Sequence, residues 1–145
     1  KKEIYTVYPA LIDTVGDVGS VVGSTATTKL ALGLLKPSFH AIRNHVTRIS
    51  ATWAASMIMF IVYSVLSLLT QGTFTLHAFL SFAALLLTTN IIAVFAVVLI
   101  SYAVAILTFK KGLDPDNFVI PIESSLADSI TSIALLVALC LMVWI

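Results

Sequence analysis

Apolar residues in this chain come in long blocks, and the polar ones gather between the blocks or in stripes within two of them. Four blocks stand out: A, Ile4 to Leu35; B, Ala51 to Thr70; C, Ala78 to Phe109; and D, Phe118 to Ile145. Each reaches or exceeds the ~20 residues that carry an α-helix across a bilayer. Between Arg48 and Lys110 there is no Asp, Glu, Lys or Arg. A soluble fold of this size has no interior that could hide such a run. The pattern predicts an all-α, polytopic transmembrane bundle of four helices, A 4–35, B 51–70, C 78–109 and D 118–145, in one domain over 1–145. Residues 37–48 read as a short interfacial segment with Phe39, Ile42 and Val46 turned to the lipid.

The four blocks are unequal. B and C are almost wholly apolar; Asn90, in the middle of C, suits helix bridging above a place in a transport pathway. A carries Asp13, Asp17, Ser20, Ser24 and Thr27 at helical spacing, which makes one polar stripe. Pro9, Gly16, Gly19 and Gly23 weaken or bend A, and bent backbone in a membrane is tolerated where it packs in protein or lines a cavity. Gly19 and Gly23 also form a small-residue pair suited to close helix packing. D carries Asp128, with Ser124, Ser125, Thr131 and Ser132 three or four positions away on the same face. Asp128 lies ten residues after Phe118, roughly 15 Å along a helix and so near the middle of the membrane. Asp17 reaches a similar depth from the other side. A carboxylate at that depth is expensive and marks a functional site by default. The two stripes can face each other across a pore. Glu123, turned about 140° from Asp128 on a helix, is placed either at a mouth of that pore or near the headgroups. Asp114-Pro115 is a helix-start signal, with Asp114 as N-cap and Pro115 in the first helical position.

Composition narrows the function classes. The chain is 59% hydrophobic and 10% charged, against roughly 25% charged in a soluble domain. A net charge of +1 argues against nucleic acid as a partner. Cys140 is the only cysteine, so there is no disulfide framework and no zinc cluster. His40 and His45 are five residues apart and do not share a helical face, and His77 reads as a solvated loop residue. Block A contains two carboxylates and ends without a cleavage site, so it is not a signal peptide. Lys29, Lys36, Arg43 and Arg48 lie at or between the ends of A and B, and Lys110 and Lys111 lie between C and D. The positive-inside rule then places the A–B and C–D loops in the cytoplasm and the C-terminus outside. Lys1 and Lys2 oppose this slightly. Tyr5, Tyr8, Trp53 and Trp144 fall near the interfaces and suit an aromatic belt.

Aspartates, hydroxyls and carbonyls make an oxygen-rich environment that suits hard cations such as Mg²⁺, and Ca²⁺ or Mn²⁺ less decisively. At these residues the chain resembles a known family. Asp114-Pro115-Asp116-Asn117, then Pro121, then Asp128 is similar to the last-helix signature of the MgtE-type magnesium transporters, above all their archaeal and eukaryotic solute-carrier relatives. Pro9, Leu11, Gly16, Asp17 and Gly19 match the spacing of a second signature, Pro-x-Leu followed by Gly-Gly-Asn-x-Gly. Val15 replaces its first glycine and Asp17 its asparagine, and Val21 stands where bacterial members have Gln. The resemblance implies helices two to five of a five-helix domain, with the first helix unmatched, so the chain is expected to be a fragment or one repeat. It further implies a Mg²⁺ pathway, with Mn²⁺ or Co²⁺ as other ions, lined by A and D of two domains from a homodimer or tandem repeats in the plasma membrane. In that arrangement Asp128, Asp17 and Asp13 contact the ion. Ser124, Ser125, Thr131, Ser132, Ser20, Gly16, Gly19 and Glu123 line the pathway, and Pro9, Asp114, Pro115 and Pro121 shape the backbone.

Two rivals remain at this level. A proton- or sodium-coupled transporter of another small solute also suits midplane carboxylates in broken helices. An intramembrane aspartyl protease would use two aspartates, and Pro9-Ala10-Leu11 and Gly16-Asp17 echo its motifs. However, Thr14 stands where that family has glycine, and the Pro-Ala-Leu precedes the supposed catalytic Asp.

Overall fold

The chain folds into four helices, α1 (Lys2–Ala31), α2 (Val46–Thr70), α3 (Leu76–Lys110) and α4 (Asp116–Val143), with a 3₁₀ segment, Phe39–His45, leading into α2. The computed structural model describes residues 2–143, and among these there is no strand. Trp144, expected in the aromatic belt, and the last residues of D lie outside them. The all-α bundle read from the sequence is therefore the fold.

Three helices, Val46–Thr70, Leu76–Lys110 and Asp116–Met142, are long and apolar enough to cross a membrane. The expected fourth span does not meet that standard. With 30 residues α1 is long enough, but its carboxylates, glycines and hydroxyls dilute its apolar content. Packing compensates for composition, because α1 touches all three other helices. α1 and α3 form the centre, with α2 and α4 on either side. Among the described residues α2 and α4 do not touch.

Helix ends follow local chemistry. Beyond α1, Gly33 takes a φ of 69° and lets the N–H groups of Leu34 and Leu35 return to the Lys29 carbonyl at 2.9 and 3.1 Å. Gly72 does the same beyond α2 with a φ of 68°, and Thr73 N–H donates to the Leu68 carbonyl at 3.0 Å. At the start of α3 the Thr75 hydroxyl accepts from the Ala78 N–H at 3.1 Å. α2 starts at Val46, five residues ahead of block B, because the polar Thr47, Arg48 and Ser50 are accommodated in its exposed first turns. His77 belongs to the exposed first turn of α3, not to a loop.

α1 is one uninterrupted helix through Pro9, Gly16, Gly19 and Gly23, not a broken element. Its glycines serve packing. A Cβ on Gly19 would strike Val97 of α3 and come within 2.5 Å of Glu123 Oε1 on α4. A Cβ on Gly23 would strike Val119 of α4. These two glycines let α1 sink between α3 and α4.

The core has two parts. One includes Leu11, Val15, Phe60, Leu85, Leu86, Val94, Val97 and Ala138. The other, at the end where α1 finishes and α4 begins, holds Ala26, Leu30, Leu35, Tyr102, Ala105, Ile106 and Val119. Ile42 packs against this second cluster. Of the three residues expected to face lipid in the interfacial segment, only Phe39 and Val46 are exposed.

Candidate functional site

The polar side chains of the bundle separate into closed and open groups. The closed one joins α2 and α3. Asn90, fully buried, accepts from the Trp53 indole N–H at 2.9 Å and donates to the Ser56 hydroxyl at 3.0 Å. Asn90 thus bridges helices, and Trp53 points into the bundle instead of serving only as a belt residue. Tyr8 likewise bonds to Ser132 between α1 and α4. Tyr5 is 81% exposed and remains compatible with a belt.

The open group joins α1 and α4. Asp13, Gly16, Asp17 and Ser20 recur at the three- and four-residue spacing of one helix face. Ser124, Ala127 and Asp128 do so on α4. Together with Ile12 they line an open pocket of about 210 Å³. The helices approach closely there because Gly16 faces Ala127; even an added Cβ would sit 3.7 Å from the alanine methyl. Asp13, Asp17 and Asp128 are all exposed, and both Asp17 and Asp128 sit near the middle of their helices. Among the described residues no three His, Cys, Asp or Glu side chains lie close enough together to hold a metal ion directly.

Several residues expected along the pathway do not line this pocket. Glu123 is at neither a mouth nor the headgroups. It is 2% exposed, wedged between α1 and α4 behind the pocket. Its Oε2 accepts from the Ser20 hydroxyl at 2.8 Å, and Oε1 has no partner among the described residues. Gly19 is buried against it. Thr131 is fully buried, with its hydroxyl unpartnered among the described residues. Ser125 and Ser132 donate to the Pro121 and Asp128 carbonyls within α4 and do not line the pocket. The α1 stripe also divides. Ser24 belongs to another pocket, and Thr27 is buried and donates to the Gly23 carbonyl at 3.0 Å. The five positions stay within about 80° of one another around α1, so the division is along its axis: Ser24 and Thr27 lie about one and two turns beyond Ser20, the last α1 residue of the acidic pocket.

Asp114 caps α4 as its position suggested. Its carboxylate accepts from the Asp116 N–H at 3.2 Å and from the Asn117 amide at 3.3 Å. The Pro115 carbonyl accepts the Val119 N–H at 2.8 Å, the first bond of α4, so Pro115 stands just ahead of the helix, which starts at Asp116 and not at Pro115 as expected. Asp114 does not reach the acidic pocket. Pro121 lies inside α4 without ending it. Ala127 and Ile12 were not singled out from the sequence, although Ala127 keeps the one-turn spacing from Glu123 that a small packing residue requires.

At the basic end of the bundle His45 is buried beside Tyr102, their ring centroids 6.1 Å apart. Burial first, then the charges of Lys29 and Arg48, hold its imidazole below the ordinary value of 6.5. His40 is exposed, and the two histidines form no joint site among the described residues.

The family model MgtE, described as a divalent cation transporter, matches residues 8–138. No curated protein and no solved structure matches the chain. The chain belongs to the MgtE divalent cation transporter family, and its three long apolar helices fit an integral membrane protein.

Proposed function

We propose that this MgtE-family chain carries Mg²⁺ across the membrane along a pathway lined by α1 and α4, with Asp128, Asp17 and Asp13 contacting the hydrated ion. The observation that carries the reading is the shared pocket of these three carboxylates, near mid-helix and open to the outside of the bundle. Carboxylates on an outer membrane face are costly against lipid. They become tolerable when a second polar surface encloses them with water. A second copy of the chain, or a second domain of the same kind, supplies that surface by placing its own α1 and α4 opposite. Ser20 and Ser124 then offer hydroxyls to the ion's water shell, and the Gly16–Ala127 contact holds the two acidic helices at a fixed separation.

Orientation follows the charges. The end bearing Lys29, Lys36, Arg43, Arg48, Lys110 and Lys111 faces the cytoplasm, in the plasma membrane. Mg²⁺ is favoured over softer ions because the pocket offers oxygen alone. Cys140, the sole thiol, is on α4 away from the pocket.

The test is ion competition on the chain in bilayer discs, following the Asp17 and Asp128 signals by NMR. Mg²⁺ should shift both sets saturably, and Asp128→Asn should weaken both responses together. Shifts at one aspartate without the other would remove the shared site. A stronger response to Na⁺ or H⁺ than to any divalent ion would favour a coupled carrier of another solute.

A further inference from the structure

Another pocket, of about 410 Å³, lies between the end of α1 and the start of α2 and begins one turn beyond the acidic one. It is lined by Ser24, Thr25, Thr28, Lys29, Leu32, Leu34 and Arg48. Two cations and three hydroxyls meet there without a carboxylate. The sequence has no acidic residue between Asp17 and Asp114, so nothing in α2, α3 or the α1–α2 connection supplies a countercharge. Arg48 is not loose: its Nη1 donates to the Thr25 hydroxyl at 2.9 Å, and Thr25 is buried. That bond anchors the guanidinium and leaves its remaining N–H groups for another acceptor. The last carbonyls of α1 would repel an anion, but Lys29 and Leu30 already accept from Gly33, Leu34 and Leu35. Leu32 and Leu34, 66% and 71% exposed, form an apolar rim.

We infer that this pocket binds a phosphate group, with Lys29 and Arg48 as its cationic contacts. Phosphate is the acceptor that a planar guanidinium and an ammonium recognise together. Two sources share this chemistry. One is the headgroup of an anionic phospholipid, whose acyl chains would lie along Leu32 and Leu34, as basic pockets between membrane helices allow. The other is free phosphate from the aqueous side. The inference stands independently of the cation pathway, because no pocket residue belongs to the acidic site.

His45 provides the readout. It faces Lys29 from α1, Arg48 from α2 and Tyr102 from α3. A phosphate between Lys29 and Arg48 offsets their field and makes the imidazole easier to protonate. The full chain is titrated by NMR of the His45 ring in discs of phosphatidylcholine alone, with added phosphatidylglycerol, and with added inorganic phosphate. A rise in the His45 pKa with phosphatidylglycerol identifies the lipid source, and a rise with inorganic phosphate alone identifies the free one. Lys29→Gln with Arg48→Gln should abolish the response, while Lys110→Gln with Lys111→Gln should leave it. If the double variant does not fold, Lys29→Gln keeps the Arg48–Thr25 bond and should raise the half-response concentration about fivefold. No response to either additive overturns the inference. So does a response whose half-response concentration is unchanged by Lys29→Gln, since that reports only the general surface potential.

Discussion

Asn90 and Asp128 each put a polar side chain in the middle of a long apolar helix, and their surroundings differ in kind. Asn90 is enclosed, with Trp53 and Ser56 using its oxygen and its nitrogen. Asp128 is exposed, in a pocket with two further carboxylates and no Lys or Arg. The first arrangement satisfies a polar group from within the fold. The second leaves the group to be satisfied by something that arrives. A polar residue in a membrane helix therefore does not by itself announce function; what distinguishes the two is whether its bonding capacity is already filled.

The contrast can be broken from either side. Asp128→Asn should weaken Mg²⁺ binding roughly 10- to 100-fold, the worth of one charged contact, and leave thermal unfolding nearly unchanged. Calorimetric titration and a melting curve check the two halves. An unchanged affinity would make the open pocket as structural as the closed network. Gly23→Ala acts two turns beyond Gly16, where α1 packs against α4 outside the acidic pocket. It drives a methyl into Val119 and should cost about 1–3 kcal/mol of stability by overpacking, read by thermal unfolding in detergent. Asn90→Ala should lower stability by about 1 kcal/mol, because the Trp53 and Ser56 groups lose their partner. Its Mg²⁺ affinity should stay at the wild-type value; a loss there would join the two networks.

The smallest effect is one of pH. His45 has a depressed pKa in the fold, so the unfolded chain binds more protons just below 6.5. Its contribution is complete above that value and declines as pH falls toward the folded-state pKa. Melting temperatures at pH 7.5 and 5.5 should differ modestly for the wild type and less for His45→Asn.

The sequence carried the bundle because a membrane helix has to announce itself by length and apolarity, and α2, α3 and α4 do. It carried the meeting of Asp17 with Asp128 through depth alone, since residues a similar distance along antiparallel helices can face each other. It did not carry Glu123. Its angle relative to Asp128 was known, but which neighbour filled that direction depended on how far Gly19 lets α1 approach. Thr131 and Ser132 were assigned to the pathway for the same reason: periodicity gives a face, and only packing decides whether that face is dry. The Arg48–Thr25 bond lay beyond reach because it joins two helices across a turn whose 3₁₀ geometry has no strong sequence signal.

The placement of α1 also bears on how the protein is made. Synthesis delivers α1 before α2, α3 and α4, yet of these four it is the helix least able to enter lipid by its own composition. α3, the longest apolar helix, covers its glycine face only after two more elements have been synthesised. Insertion should then be cooperative: α1 waits at the translocon or the interface until α3 arrives, and settles with it. A chain truncated after Gly72 should leave α1 accessible to a membrane-impermeant thiol reagent at an introduced cysteine, and the chain continued through α3 should protect it. The residues that fit α1 for an ion thus make its own entry into the bilayer depend on its neighbours.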